Sequence, residues 1–390
     1  MSADSLVADL TRHHSSGYVL PAVDRSKLRV AIIHYWLVTM RGGEKVVEAL
    51  GRMFPQADIF THAVIPAALS PSLRSHTIKT SFIARLPQAS RRYKAYLPLM
   101  PMALEQLDLR NYDLIISSES GPAKGVIPPA GALHICYCHS PMRYLWNMFH
   151  DYRERSGPVT RLMMPPLAHY LRNWDAVSAS RVHEFVANSR TVARRLETYY
   201  RRDSRVIFPP VDTSAFRPIG AAGEDFFLMA GELVPYKRAD LAVEAFNRLK
   251  RRLVVIGGGE SFDSLRAMAG PTVTMMGPQP FEVLRDHYAR CRALVFPGEE
   301  DFGLVPVEAM ASGRPVIAFG RGGATETVLE GETGLFFGQQ TVESLIDTIE
   351  RFERSSFDTA AIRLHAESFG ADRFQSEMGD LIDAALVRRG

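Results

Sequence analysis

Short apolar runs recur along the first half of the chain, and polar loops and amphipathic stretches separate them. The runs are continuous rather than alternating, which is typical of parallel strands that are covered on both faces. A glycine-containing loop and a helix follow the first run, so we predict the strand–loop–helix opening of an α/β domain. The strands predicted in this half lie within 27–36, 57–64, 112–118, 133–140 and 184–189.

The same alternation starts again after Pro209–Pro210, a pair that neither a strand nor a helix continues through. We therefore predict a tail at 1–25, an N-terminal domain at 26–212 and a C-terminal domain at 213–370. Residues 371–390 predict an amphipathic helix that could cross back to the N-terminal domain. Strands are expected within 225–233, 251–259, 273–278, 293–298 and 314–320, and helices at 281–290 and 304–312. The predicted fold class is α/β, with two doubly wound parallel sheets facing each other across a cleft.

Composition narrows the class of protein. The 390 residues include 46 basic and 43 acidic side chains, a net charge of +3, which argues against a nucleic-acid partner. The sparse cysteines Cys136, Cys138 and Cys291 fit a reducing compartment, and buried strand thiols are favoured over a metal site for the first two. No apolar run reaches the ~18 residues of a membrane span and no signal peptide is predicted, so we expect a cytoplasmic location.

The segment FPGEEDFGLVPVEAMASGRPVIAFG, residues 296–320, carries the strongest chemical signal. Acidic residues follow a predicted strand, and Gly303 then allows a close backbone approach before a helix begins. The amides at 303–305 would lie at the positive end of that helix and could hold an anion such as a diphosphate. Glu300 and Glu308 flank these amides, and their carboxylates can accept hydrogen bonds from two sugars. This arrangement predicts a site for a nucleotide sugar.

Motifs along nearly the whole chain resemble one family. The segment EDFGLVPVEAMASGRPVIA is similar to the E-x7-E segment of family 4 retaining glycosyltransferases, which have the GT-B fold. The combination with the other motifs most resembles bacterial mannosyltransferases of exopolysaccharide and O-antigen assembly. Those motifs are GGEKV at 42–46, HSPMRYLWN at 139–147, VANSRTVARRLETYY at 186–200, PPVDTSAF at 209–216, YKRADLAVEAF at 236–246, VVIGGGE at 254–260, GGATETV at 322–328 and GETG at 331–334.

The resemblance implies roles for individual residues. Glu308 would hold the donor ribose, Glu300 the donor hexose, and Lys237 would neutralise the diphosphate. The catalytic candidates are His139, which would lie beside the reacting anomeric centre, Lys237 and Glu300. The donor-binding candidates are Gly42, Gly43, Lys237, Arg238, Glu300, Phe302, Gly303, Leu304 and Glu308. Gly42 and Gly43 would approach the donor phosphate or the acceptor from the opposite wall, and neither a metal nor a cofactor is expected.

The sequence leaves the roles of several positions open. The family often has arginine after the glycine of its Gly-Arg-Leu turn, whereas this chain has Glu232 there. The second diphosphate cation is therefore not fixed, and Arg238 is the candidate. Glu326 is either an acid at a helix start or a donor ligand. Glu299 and Asp301 are favoured as solvated loop acids, and a structural role for His139 remains the alternative.

The stretch 84–109 combines bases with aromatic and aliphatic residues around an interrupted helix, a composition that suits an anionic lipid surface. Arg91, Arg92 and Lys94 are therefore assigned to the membrane or acceptor side, together with Arg143. A second basic cluster lies at 189–205. The alternative for both clusters is an ordinary solvated helix face.

The family resemblance implies transfer of a hexose, mannose from GDP-mannose, to a polyprenyl-diphosphate-linked oligosaccharide with retention of configuration. The expected partners are the nucleotide sugar, that acceptor and the anionic inner face of the cell membrane, where the protein would be peripheral. A UDP-sugar donor and a sugar-nucleotide epimerase of the same architecture are the alternatives. A non-catalytic scaffold and an NAD-dependent dehydrogenase are weaker ones. The sequence leaves the oligomeric state and the linkage position open.

Overall fold

The computed structural model describes residues 24–119, 121–220 and 223–389. The predicted tail at 1–25 therefore lies outside the described residues except for its last two. The described chain forms two α/β lobes, each built on one sheet of parallel strands, which confirms the predicted fold class. The first lobe holds the N-terminal sheet and the second lobe the C-terminal sheet.

The first sheet has seven parallel strands in the order β3-β2-β1-β4-β5-β6-β7. Their bounds are β1 (Val30–His34), β2 (Asp58–Thr61), β3 (Ile78–Thr80), β4 (Leu114–Glu119), β5 (Leu133–Cys138), β6 (Glu184–Ala187) and β7 (Arg205–Val206). The helices of this lobe are α1 (Gly42–Met53), α2 (Pro71–Arg74), α3 (Ala89–Arg92), α4 (Met100–Glu105), α5 (Phe149–Arg155), α6 (Pro158–Ser178) and α7 (Arg190–Tyr200).

The second sheet has six parallel strands in the order β10-β9-β8-β11-β12-β13. Their bounds are β8 (Phe227–Ala230), β9 (Leu253–Ile256), β10 (Val273–Gly277), β11 (Leu294–Phe296), β12 (Val316–Phe319) and β13 (Gly334–Phe337). The remaining helices are α8 (Ala239–Leu249), α9 (Phe262–Met268), α10 (Phe281–Arg290), α11 (Leu304–Ala311), α12 (Ala324–Thr327), α13 (Val342–Glu353), α14 (Thr359–Glu367) and α15 (Ala371–Val387).

Several elements escaped the sequence analysis, among them strands β3 and β13 and helices α6, α13 and α14. Strand β3 has three residues, of which only Ile78 is apolar, so it forms no apolar run. Helix α6 contains Pro165 and Pro166, a pair that argues against a helix because proline removes a backbone donor. The helix is nevertheless formed, because its buried face packs against the first lobe.

Each sheet is covered on both faces, so its central strands, such as β1, β4, β5 and β12, are buried along their whole length. The terminal helix α15 belongs to the first lobe by its packing, since Phe374, Met378 and Ile382 enter the core that also holds β1 and β4. Its outer face is fixed by Asp383, which pairs with Arg25 at 2.7 Å. The chain therefore crosses between the lobes near 207–212 and returns near residue 370.

The strand order reverses between β1 and β4 in the first sheet and between β8 and β11 in the second. At such a point the connections leave on opposite faces, and a crevice opens at the carboxyl ends of the two strands. The loop after β1 and the segment after β5 line one wall of a cleft, and the loops after β8 and β11 line the other.

Candidate functional site

A cleft of about 1090 Å³ lies between the lobes, and both crevices open into it. The first lobe contributes the loop after β1 with the start of α1, and the segment that follows β5. The second lobe contributes the loops after β8, β9 and β11. Loops from the carboxyl ends of both sheets therefore converge on one space.

The loop after β11 is fixed by glycines. Gly303 has φ +86°, a left-handed conformation that favours glycine, and α11 begins directly after it. The loop is backed by the segment before α12, where the Gly323 amide donates to the carbonyl of Glu300 at 2.8 Å. A Cβ on Gly323 would lie 2.3 Å from the Cα of Phe302. The GGATETV motif therefore supports the loop from behind.

Lys237 and Glu300 form an ion pair at the floor of the cleft, with 2.9 Å between Nζ and Oε1. They meet because β8 and β11, the strands that precede them, are neighbours in the sheet. Burial opposes the charge of Lys237, but Glu300 outweighs it and raises the pKa of Lys237 above its ordinary value. The lysine is therefore a fixed cation at neutral pH.

Glu308 lies in the second turn of α11 and lines the same cleft. One of its oxygens accepts a hydrogen bond from the Tyr288 hydroxyl at 3.1 Å, and the other lies 3.6 Å from Lys45 Nζ of the first lobe. Burial raises the pKa of Glu308, while Lys45 and Tyr288 lower it. The two predicted carboxylates thus lie on either side of the α11 N-terminus, and each has a lysine partner.

Gly42 and Gly43 bring the first lobe close to the second. A Cβ on Gly42 would lie 2.6 Å from Cδ1 of Leu304, the first residue of α11. A Cβ on Gly43 would lie 3.7 Å from Nε2 of His139. The N-termini of α1 and α11 therefore approach each other across the cleft, and both present positive helix ends to it.

His139 lines the cleft at the end of β5 and faces Gly43. Its Nε2 lies 2.8 Å from the Ser118 hydroxyl, and burial lowers the pKa of its imidazole to about 4. His139 is therefore neutral at physiological pH, and its ring can exchange hydrogen bonds without adding charge.

Asp301 is not a solvated loop acid, so this prediction was wrong. Its carboxylate bonds to Arg143 at 2.5 Å and to Arg195, both from the first lobe. Only 17% of the Asp301 side chain is exposed, because the first lobe covers it. Glu299, in contrast, is exposed as predicted.

Glu232 pairs with Arg41 of the first lobe at 2.9 Å, and both residues line the cleft. Arg238, the sequence-based candidate for the second cation, is not among the cleft-lining residues. Its guanidinium is held by Asp240 at 3.0 Å, two residues along the chain in the first turn of α8. The structure therefore brings Arg41 rather than Arg238 to the space beside Glu232.

Glu326 contacts the first lobe rather than the cleft. Its carboxylate accepts hydrogen bonds from the backbone amides of Arg190 at 2.7 Å and Thr191 at 3.0 Å, the first two residues of α7. Glu326 lies in the first turn of α12, which agrees with the alternative of an acid at a helix start, and its carboxylate also caps α7 of the other lobe.

The remaining predicted residues divide into two groups. Phe302, Gly303 and Leu304 line the cleft beside the ion pair of Lys237, and Arg143 lines it opposite them. Arg91, Arg92 and Lys94 lie outside it, on α3 and the turn that follows, as exposed side chains.

Sequence reasoning missed the partners of the cleft carboxylates, namely Arg41, Lys45, Arg195 and Tyr288. Lys45 lies in the GGEKV motif, directly after Glu44 of the first turn of α1. Because this motif begins the helix beside the cleft, the sequence could have marked Lys45 as a cleft residue. The others lie far along the chain from the acids they contact, and no local pattern marks them.

Two family models match this chain, one over each lobe. Residues 40–215 match the family model described as Glycosyltransferase Family 4, and residues 212–366 match that of Glycosyl transferases group 1. The two matches meet at the crossing between the lobes, so one covers most of the first lobe and the other most of the second.

Curated relatives are similar over part of the chain. A GDP-mannose-dependent alpha-(1-6)-phosphatidylinositol monomannoside mannosyltransferase of Mycobacterium tuberculosis is 32% identical over 36% of this chain and 44% of the relative. A D-inositol 3-phosphate glycosyltransferase of Nocardia farcinica is 31% identical over 47% of this chain and 49% of the relative. The matched segments thus span about half the length of these relatives.

Among solved structures, Anabaena Alr3699/HepE in complex with UDP and glucose has a TM-score of 0.68 at 15% identity. The match covers 91% of this chain and 99% of that one. The likeness shows a shared fold over both lobes. Within the described ranges, every helix is too short or too polar to cross a bilayer.

Proposed function

Because this chain belongs to glycosyltransferase family 4, we propose that it is a retaining α-mannosyltransferase. It would move mannose from GDP-mannose to a polyprenyl-diphosphate-linked oligosaccharide in bacterial exopolysaccharide or O-antigen synthesis. One observation supports this above the others. Two partly buried carboxylates, Glu300 and Glu308, each paired with a lysine, flank a helix N-terminus in a cleft between two lobes.

The donor would lie along the line that runs from Glu308 past the N-terminus of α11 to Glu300. Glu308 would accept hydrogen bonds from the ribose, the α11 amides and Lys237 would hold the diphosphate, and Glu300 would hold the hexose. Lys237 is paired with Glu300, so the donor diphosphate would share this cation with the carboxylate. Arg41 is 63% exposed and lies at the opposite wall, where it would meet the outer face of the same diphosphate.

The chemistry of transfer follows from these charges. The bond between the anomeric carbon and the diphosphate oxygen breaks, and an acceptor oxygen forms the new bond from the same face. The departing diphosphate takes the acceptor proton. Lys237 and the helix amides stabilise the growing negative charge, and loss of such a donor typically costs about 2.7–4 kcal/mol of barrier. Neutral His139 would lie beside the reacting carbon without repelling its developing positive charge.

A thermal-shift series with GDP, UDP and ADP tests the donor. A ligand that binds only the folded protein raises the melting temperature, and GDP should raise it most. A shift with UDP alone would replace GDP-mannose by a UDP-sugar, as the UDP and glucose held by the Anabaena neighbour would allow. The shift should disappear in Glu308→Ala and persist in Glu299→Ala, a matched acid that is exposed.

Transfer is tested with the purified protein, GDP-mannose and a lipid-linked acceptor. Lys237→Ala should lower kcat at least about 100-fold, whereas Lys27→Ala, an exposed lysine of the first lobe, should leave it unchanged. Glu300→Ala should bind GDP but lose transfer. Near-normal turnover of Lys237→Ala would refute the proposed role, and an epimerised nucleotide sugar formed from donor alone would favour the epimerase. Proton NMR of the product's anomeric centre decides retention.

A further inference from the structure

An apolar stripe runs along helix α6 and is not covered by the described chain. At about 100° per residue, Val159, Met163, Tyr170 and Val177 fall within about 40° of one another around the helix. Their exposed fractions are 75%, 58%, 50% and 63%. Leu162 adjoins them and is 76% exposed. The opposite face, with Ala168 and Leu171, packs into the first lobe.

The end of this stripe is an ordered helical hairpin. Helices α5 and α6 are joined by reciprocal contacts in which Arg153 Nε donates to the Arg161 carbonyl at 3.4 Å and Arg161 Nε donates to the Arg153 carbonyl at 3.3 Å. The Arg161 carbonyl is available because Pro165, four residues on, has no amide hydrogen to donate to it. The side chains of Leu162 and Met163 at the tip are therefore held outward.

The surroundings of the hairpin are basic. The hairpin itself carries Arg153, Arg155 and Arg161 against Asp151 and Glu154. Next to it lies the stretch 89–99, whose Leu97 packs both on the α6 core and on the core of α4. No acidic residue occurs between Asp58 and Glu105, so the exposed bases of that stretch have no acid near them along the chain.

We propose that the α6 stripe docks on an anionic lipid bilayer, with Leu162 and Met163 inserted and the bases at 91–94 held by lipid phosphates. Basic residues beside an apolar helical face are complementary to such a surface. Tyr152 of the hairpin lines the cleft, so docking here places the cleft at the lipid surface. The inference depends on the proposed function only in giving docking a purpose, namely access to a lipid-linked acceptor. The sequence analysis assigned the bases at 91–94 to the membrane side, and this inference adds the insertion of α6.

The test is co-sedimentation with phosphatidylcholine vesicles, with and without about one third phosphatidylglycerol. Wild type should bind the anionic vesicles, and Leu162→Ser with Met163→Ser should lower the partition coefficient at least about tenfold. The matched control is Ile219→Ser with Leu364→Ser, which removes side chains of 56% and 70% exposure elsewhere and should leave binding unchanged. Neutralising Arg91, Arg92 and Lys94 together should weaken binding to anionic vesicles and reduce its salt dependence.

Several outcomes would overturn the inference. One is unchanged vesicle binding of the variant with Leu162→Ser and Met163→Ser, the tip variant. Another is an equal loss of vesicle binding in the variant with Ile219→Ser and Leu364→Ser. A third is a wild type that binds no vesicles but dimerises through the tip, which sedimentation velocity would show and which would assign the stripe to a second copy. Docking is measured on vesicles that contain no acceptor, so it does not depend on transfer. Donor binding is measured separately, and the GDP-induced thermal shift should be the same in wild type and in the variant with Leu162→Ser and Met163→Ser. Failure of docking and failure of the proposed transfer are thus separable.

Discussion

Asp301→Asn tests whether the contacts between the lobes control the cleft. In wild type the carboxylate is shared by Arg143 and Arg195, two cations of the first lobe. An asparagine of nearly the same shape keeps one acceptor oxygen but removes the negative charge. In Asp301→Asn, the two guanidinium groups have no counter-charge when the lobes are together. When the lobes are apart, water hydrates both groups. The substitution therefore favours separation of the lobes.

The magnitude follows from burial. Breaking a fully buried ion pair by removing one partner costs about 3–5 kcal/mol. The side chains of Asp301, Arg143 and Arg195 are still 14–17% exposed, so we expect a smaller cost of about 2–3 kcal/mol for Asp301→Asn. This cost corresponds to about a 30- to 150-fold change in the equilibrium between closed and separated lobes. Because the donor would contact both walls, its apparent affinity should weaken by up to that factor.

The assay is isothermal titration with GDP, combined with the radius of gyration from small-angle X-ray scattering. Asp301→Asn should bind GDP more weakly and give a larger radius. Glu299→Gln is the matched control, because it removes the same charge two residues earlier from an exposed side chain. Equal behaviour of the two variants, or wild-type affinity in Asp301→Asn, would refute the reasoning.

Three further predictions follow from the same contacts. Gly42→Ala should lower kcat/KM, because the new Cβ meets Leu304 of the second lobe, and adding Leu304→Ala should restore part of the activity. The melting temperature should stay at or above that of wild type, because alanine favours the helix more than glycine does. Glu326→Ala removes the acceptor at the start of α7 and should cost about 1–2 kcal/mol of unfolding free energy in urea, with Glu332→Ala, an exposed acid of the second lobe, as control. Burial lowers the pKa of His34 and His134 to about 3 and of His62 and His139 to about 4, so the unfolded chain binds protons that the folded chain does not. Burial also raises the pKa of Glu119 to about 8 and the pKa values of Glu44 and Glu308, which works in the opposite direction. Because the four histidines outnumber these three acids, urea unfolding should show stability falling as pH drops from about 6.5 towards 4, by at most about 1.4 kcal/mol per histidine per pH unit, and stability that rises there would contradict it.

The fold was predictable because its signals are local. Continuous apolar runs mark strands such as β1 and β5, and a glycine or proline marks most of their ends. The position of the site follows from the same information, since ligands bind at the carboxyl ends of parallel strands. Glu300 and Glu308 were found this way. Helix α6 was missed because Pro165–Pro166 argues locally against a helix, while the packing that forms it involves residues from distant parts of the chain.

What the sequence could not supply is the charge partner of each acid. The alternation of apolar and polar positions determines which face of an element is buried, but not which element of the other lobe will meet it. Asp301 and Glu299 look alike in sequence, yet only Asp301 faces two arginines of the first lobe. Solvation was the reasonable prediction for both, and it was wrong for the acid whose environment depends on how the lobes meet.

Glu232 shows the same limit most clearly. In the sequence it is a departure, an acid where a cation is expected, and Arg238, which follows Lys237, was therefore the candidate to replace that cation. In the structure the acid is one half of a pair, and Arg41 from the opposite wall supplies the charge at that point of the cleft. A cation contributed by the first lobe reaches the second lobe only when the two lobes are together. Any anion that needs both Lys237 and Arg41 would therefore bind the closed arrangement in preference to the separated one, and closure would add to its affinity.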